Sequence, residues 1–142
     1  MAVSEEQLKE SLREHGLKVT PARMGVLRIL MESQVPLSVQ AIIEQMKSLA
    51  IDQATVYRTL NTFETAGLVH VIDFQYGHGH YELASRPHHH HLVCRSCGRV
   101  EDVEDCRVLD IEKSVVSKRG FASIEEHALE FFGTCKACDR VA

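Results

Sequence analysis

The sequence predicts an α+β chain made of an N-terminal winged helix-turn-helix domain followed by a small α/β domain, on the strength of three observations. Capped segments with helical apolar spacing fill the first half, and an apolar, β-branched hairpin follows them. Beyond a short polar link the chain changes to strands, histidines and paired cysteines. That link, Ala84-Ser85-Arg86-Pro87, is polar and ends in proline, so it divides the chain into domains 1–84 and 85–142.

The elements follow in order. Ser4-Glu5-Glu6-Gln7 has capping-box form with Val3 and Leu8 as a hydrophobic staple, which starts a helix at about Glu5 that runs to His15 and stops at Gly16. Thr20 before Pro21 is an N-cap with proline at the first helical position, and Val26, Leu27, Leu30 and Met31 give the second helix its apolar stripe. Ser38 caps a third helix carrying Ile42, Ile43, Met46 and Leu49, and Asp52 caps a fourth that reaches about Ala66 before Gly67. Leu68 to Phe74 reads as a strand, Gly77-His78-Gly79 as a turn, and His80 to Leu83 as the returning strand. Helices followed by such a hairpin are the ingredients of a winged helix.

In the second domain His88 to Cys94 and Arg99 to Glu104 read as strands. Arg107 to Arg119 reads as a helix with Val108, Ile111, Val115 and Val116 on one side, and Phe121 to Phe132 as strand-rich. No internal repeat is present.

Composition narrows the function. The chain has 142 residues, 16 Lys plus Arg against 20 Asp plus Glu, and a net charge of -4. A generally basic coat for nucleic acid is excluded, and any DNA contact must come from a few placed cations. No apolar run is long enough to span a membrane, and the N-terminus lacks a charged-then-apolar export pattern, so a cytoplasmic protein without a membrane partner is expected. In that compartment the five cysteines stay reduced.

Four of those cysteines form two knuckles, Cys94-Arg95-Ser96-Cys97 and Cys135-Lys136-Ala137-Cys138. Two matched C-x-x-C pairs flanking one small domain fit a structural zinc held by four thiolates, where a redox-active dithiol or merely buried thiols would be the bland alternative. Cys106 is left over and reads as an ordinary helix-start residue.

Seven of the nine histidines lie between His70 and His91. Side chains on a strand alternate between faces, so His88 and His90 point one way while His89 and His91 point the other. One tetrad can therefore serve two metal sites. The first takes His89 and His91 with Glu82 and either His70 or His80, and so bridges the two domains. The second takes His88 and His90 with His127 and a carboxylate from the helix, Asp110 or Glu112. Mixed imidazole and carboxylate ligands suit zinc, iron(II), nickel or manganese. His15 and His78 read as surface histidines.

On the fourth helix Val56, Leu60 and Phe63 share one face, with Thr55, Arg58, Asn61 and Thr62 opposite and Tyr57 on the flank. That polar face is what a major groove requires, although a solvated helix shows the same spacing. Lys18 and Arg23 can add phosphate or minor-groove contacts, with a solvated surface pair as the alternative. There is no H-E-x-x-H, no nucleophile elbow and no Gly-rich phosphate loop, so neither an enzyme nor a small-molecule substrate is expected. A metal-buffering or metal-dependent redox protein is the competing class, but it has no need of a capped helix with Arg58 outward.

Four segments together, Gly16 to Arg23, Ala54 to Leu60, His88 to Gly98 and Phe132 to Cys135, resemble the ferric-uptake-regulator family of metal-sensing repressors, over nearly the whole chain. The resemblance implies a winged-helix DNA-binding domain, an α/β dimerisation domain, and a homodimer that represses double-stranded operator DNA when a regulatory metal is bound. By position it assigns Cys94, Cys97, Cys135 and Cys138 to structural zinc. It assigns Glu82, His89 and His91 to the sensing site, with zinc or iron(II) as the ion, and His88, His90 and His127 to a second site. It departs at Pro36, where the family often has a sensing histidine, and it favours His70 over His80 as the replacement. Asp110 and Leu109 compete for the second site's carboxylate position. The histidine-rich hairpin is closer to zinc-sensing members, while nickel- and peroxide-sensing members share the same fold.

Overall fold

The computed structural model describes residues 2–75, 77–104 and 106–140, which fall into two compact units, 1–86 and 87–142. The first unit opens with α1 (Glu5–Glu14), α2 (Pro21–Glu32), β1 (Leu37–Ser38) and α3 (Val39–Met46). A single 3-10 turn, Lys47–Leu49, leads to α4 (Gln53–Thr65), and β2 (Val69–Asp73) and β3 (Gly79–Leu83) close the unit.

The caps read from the sequence are formed. The Ser4 hydroxyl accepts the Gln7 amide while the Gln7 side chain accepts the Ser4 amide, and Thr20, Ser38 and Asp52 accept the amides of Arg23, Ala41 and Thr55. At the far end of α4 the chain turns through Gly67, at a φ of 76° that a residue with a Cβ rarely adopts. There the Leu68 amide bonds to the Phe63 carbonyl and the Gly67 amide to that of Glu64. This stop aims the chain directly into β2.

Leu8, Leu12, Val26, Leu27, Ile42, Met46, Val56, Leu60 and Phe63 meet in one core and are essentially inaccessible to water. Burying each such side chain contributes about 1.5–3 kcal/mol, which is what holds three short helices around α4. β3 lies at the centre of an antiparallel sheet in the order β1-β3-β2, and the two-residue β1, invisible in the sequence pattern, completes the wing by pairing Leu37 with Tyr81. Four helices and this sheet make a winged helix-turn-helix.

The second unit contains β4 (His90–Cys94), β5 (Val100–Val103), α5 (Val108–Lys118), β6 (Glu130–Gly133) and a final turn of helix, α6 (Lys136–Asp139). Its sheet runs β5-β4-β6, with β5 antiparallel to β4 and β6 parallel to it. Phe121 to Phe132 is strand only from Glu130 onward: Phe121 is largely exposed and residues 121–129 pair with nothing in the sheet. Apolar content there reflects single anchoring residues, not a continuous ladder. α5 also turns differently from the expected stripe, since Val108, Glu112 and Val116 face inward while Ile111 and Val115 remain exposed. Among the described residues no helix is long and apolar enough to cross a membrane.

Candidate metal centres and DNA-reading helix

The two cysteine knuckles converge. Cys94 ends β4, the chain reverses through Gly98, whose amide bonds to the Cys94 carbonyl at 2.9 Å, and Cys97 sits on that turn. β6 runs parallel beside β4 and delivers Cys135 and Cys138 at the start and interior of the last helical turn. All four sulfurs lie within 4.8 Å of one another, and Cys97 Sγ is 3.8 Å from Cys135 Sγ. A zinc–sulfur bond of about 2.3 Å implies tetrahedral sulfur–sulfur edges of about 3.8 Å, so the donors present fit that ion.

The protons on this cluster are unevenly held. The amides of Cys135 and Cys97 lower the Cys94 thiol to about 6, whereas hydrogen bonding among the other sulfurs pushes Cys138 up to about 12. A dication held by these four sulfurs would replace the shared protons and allow all four groups to ionise.

The four consecutive histidines separate by parity. The rings of His88 and His90 lie 4.7 Å apart between centroids, as do those of His89 and His91. On one face, His88, His90 and His127 gather with Cys106, their ligand atoms within 4.8 Å of one another. Burial and the neighbouring imidazoles hold His90 below its ordinary value of 6.5. Glu112 accepts from His127 Nδ1 at 2.7 Å, which leaves His127 Nε2 pointing into the group, 3.3 Å from His90 Nε2. Of the two helix carboxylates expected, Asp110 is exposed and outside this cluster, nearly opposite on the helix to the inward side from which Glu112 engages His127. Cys106, read as an ordinary helix-start residue, stands in its place, and no spacing rule pointed to it.

On the other face His91 is buried, with only 2% of its surface exposed, and is flanked by acids from both adjacent strands. Its Nδ1 lies 2.9 Å from Glu130 Oε2, and its Nε2 lies 4.0 Å from Asp102 Oδ1. These are its registered partners on β6 and β5, so knowing the strand pairing would have exposed both. His89 is half-buried, with Nδ1 donating to the Pro87 carbonyl at 2.6 Å.

In the first unit Glu82 is a buried carboxylate on β3. His70, directly opposite on β2, is 2.9 Å from Oε1, and Arg86 donates to Oε2 at 2.9 Å. Of the two hairpin histidines it is therefore His70 that joins Glu82. His80 packs against the rings of Phe74 and His78, and burial lowers it below 6.5. Pro36 is buried and offers no ligand.

α4 presents the expected faces. Val56, Leu60 and Phe63 are buried together with Thr59, while Tyr57, Arg58 and Asn61 are exposed and Thr55 and Thr62 lie at the edges. The Arg58 guanidinium donates to Thr55 Oγ1 at 3.1 Å. Lys18 is exposed, and Arg23 is half-buried, with its guanidinium donating to the Lys18 carbonyl at 3.0 Å, so Arg23 braces the turn before α2.

Comparison with known proteins extends this geometry. The description Ferric uptake regulator family matches residues 14–132. The chain belongs to the ferric uptake regulator family. It is 39% identical to the ferric uptake regulation protein of Legionella pneumophila, over 91% of this chain and 96% of that one. Among solved structures it resembles the Helicobacter pylori ferric uptake regulator, described as having three functional metal binding sites. That match has a TM-score of 0.78, 29% identity, and coverage of 94% and 90%. It also resembles a zinc uptake regulator complexed with zinc and DNA, at a TM-score of 0.66 and 25% identity over 96% and 93%. Proteins of this family are transcription regulators and not enzymes, so the chain is a metal-responsive regulator.

Proposed function

We propose that this protein is a repressor that binds double-stranded operator DNA as a homodimer when iron(II) occupies a regulatory site made by His70, Glu82, His89 and His91. A structural zinc is held by Cys94, Cys97, Cys135 and Cys138. The observation that carries this reading is the sorting of the tetrad His88 to His91 into two groups on opposite faces of one strand, while a buried Glu82 stands at the other end of the link. A nitrogen and oxygen donor set suits iron(II), manganese or zinc, and the ferric uptake regulation proteins among its relatives favour iron.

Glu82 and His89 flank the stretch of chain that joins the two units. An ion that takes ligands from both restricts how the units are disposed, and it strengthens DNA binding by as much as it prefers the binding-competent disposition. DNA then meets the exposed face of α4: Arg58 reads base edges or phosphates, Tyr57, Thr55 and Thr62 contact thymine methyls and backbone oxygens, and Lys18 and Arg23 add phosphate contacts. Dimerisation uses the second unit, which exposes Leu109, Ile111 and Val115 on α5 and sets Leu92 beside Phe131 on its sheet, both open to water. Two α4 helices presented by a dimer suit successive major grooves, and a protein with this task works in the cytoplasm.

The test is operator binding by fluorescence anisotropy, in chelator and then with iron(II), zinc or manganese. Iron(II) at micromolar concentration should tighten binding strongly over chelator, and Arg58→Ala should weaken it by about 1–3 kcal/mol without changing metal stoichiometry. Equal affinity in chelator and in every metal would reject the repressor reading. Tightening by zinc alone would transfer the sensing role to zinc.

A further inference from the structure

The four-member group around Cys106 goes beyond the ligand set that the sequence supplies. We propose that Cys106 is a metal ligand, completing with His88, His90 and His127 a tetrahedral site of three imidazoles and one thiolate that selects zinc-like ions over iron- and manganese-like ones. The proposal rests on the reading of these histidines as a second metal site, and replaces a carboxylate of α5 with the sulfur.

The distances support it. Cys106 Sγ lies 3.4 Å from His88 Nε2, 3.2 Å from His90 Nε2 and 3.7 Å from His127 Nε2. His90 Nε2 and His127 Nε2 are 3.3 Å apart. Zinc bonds of about 2.0–2.1 Å to nitrogen and about 2.3 Å to sulfur give tetrahedral edges of about 3.3 Å between nitrogens and about 3.6 Å between nitrogen and sulfur. Four of the six donor separations already stand within about 0.4 Å of those edges, and the remaining two, from His88 to the other imidazoles, are within 4.8 Å.

The orientation supports it as well. Every imidazole presents the same atom, Nε2, to the sulfur, and the Glu112 carboxylate engages the opposite nitrogen of His127 at 2.7 Å. A carboxylate on the far side of a ligating imidazole fixes the tautomer that leaves Nε2 free of a proton and raises its basicity. Four protein donors leave no position for water, so the site stores or senses an ion and performs no hydrolysis. Thiolate is a soft donor: it favours zinc or cobalt(II) and disfavours manganese, unlike the nitrogen and oxygen set proposed for iron(II). The two faces of one strand thereby discriminate between classes of metal.

Cobalt(II) is the probe. The full-length protein is isolated with zinc retained on the four cysteines, confirmed by elemental analysis before and after titration. Cobalt should then enter with tetrahedral visible bands and a thiolate-to-cobalt charge-transfer band. With the four-cysteine zinc still in place, that band can come only from Cys106. Cys106→Asp should still take up cobalt and lose the charge-transfer band, and Glu112→Gln should keep the band but weaken affinity about tenfold. Uptake that depends on His90 but lacks the thiolate band in the unsubstituted protein overturns Cys106 as a ligand and leaves the histidine site standing. If no uptake responds to His90→Ala, the second-site reading falls together with the proposal.

Discussion

The two units are stabilised by different means. Among the described residues, 16 apolar side chains are buried, and all but Val93 and Cys94 belong to the first unit. α4 alone buries Val56, Leu60 and Phe63, whereas α5, nearly as long, buries no residue. The second unit instead carries two ligand-rich clusters and a set of exposed apolar residues: Leu92, Leu109, Ile111, Val115, Phe121 and Phe131. A domain this small encloses little apolar surface to offset its chain entropy, and the proposed metal and second copy would supply what a core does not. The contrast has a functional side, because a unit whose order depended on ions would be the one whose state an ion could report.

Removing the zinc proposed for the four cysteines is the strongest way to break this contrast. Binding free energies of structural zinc in small domains are about 10–16 kcal/mol, far more than one apolar side chain provides. Cys97→Ser should abolish the zinc and unfold residues 87–142, while α1 to α4 and their core stay intact. Hydrogen exchange mapped by mass spectrometry is the measurement: protection should vanish at β4 to β6 and persist at Leu27 and Leu60. Uniform loss of protection across both units, or none, would show that the division of labour is wrong.

Substitution of apolar residues sharpens the contrast. Phe63, fully buried at the centre of the first core, should cost about 3–5 kcal/mol when changed to Ala, with metal content and oligomeric state unaltered. Val115→Glu on the exposed face of α5 should do the reverse, leaving the stability of the first unit unchanged and converting a dimer to a monomer in sedimentation. A monomeric unsubstituted protein would remove the reason given for the exposed apolar face.

The first unit was legible because its signals are local. Ser4, Thr20, Ser38 and Asp52 each satisfy an amide three residues on, and the stop at Gly67 follows from its backbone freedom, so the bounds of the helices could be read without any tertiary knowledge. The four cysteines and the parity of the histidines were legible for the same reason. What escaped depends on pairing. Glu130 meets His91 only because β6 lies parallel to β4 in one register, and Asp102 only because β5 pairs on the other side. Cys106 approaches His90 across a connection with no periodic pattern, and only the turn of α5 decides between the two acids, Asp110 and Glu112, that the sequence offered to His127. The nine residues from Phe121 to Leu129 look strand-like by composition but form no strand pairing, and His127 bonds instead through its side chain.

The smallest expected effect concerns the start of α4, the helix proposed to meet DNA. The Asp52 carboxyl is held below its ordinary value of 3.8, first by the Thr55 hydroxyl and then by the Thr55 amide and the charge of Arg58. A carboxylate depressed in the folded state adds its full stabilisation above the unfolded value, and that contribution disappears as pH falls through the lower folded value. The cap is therefore intact at neutral pH and weakens only below about pH 4. Asp52→Asn keeps an accepting oxygen at the cap but cannot titrate, so the Thr55 amide should remain protected at neutral pH and lack the acid-dependent fraying expected with Asp52. Asp52→Ala should fray the first turn at every pH. If the Asn and Asp proteins show the same acid profile for the Thr55 amide, the carboxylate is not what fastens this helix, and the cap must be credited to the Asp52 backbone alone.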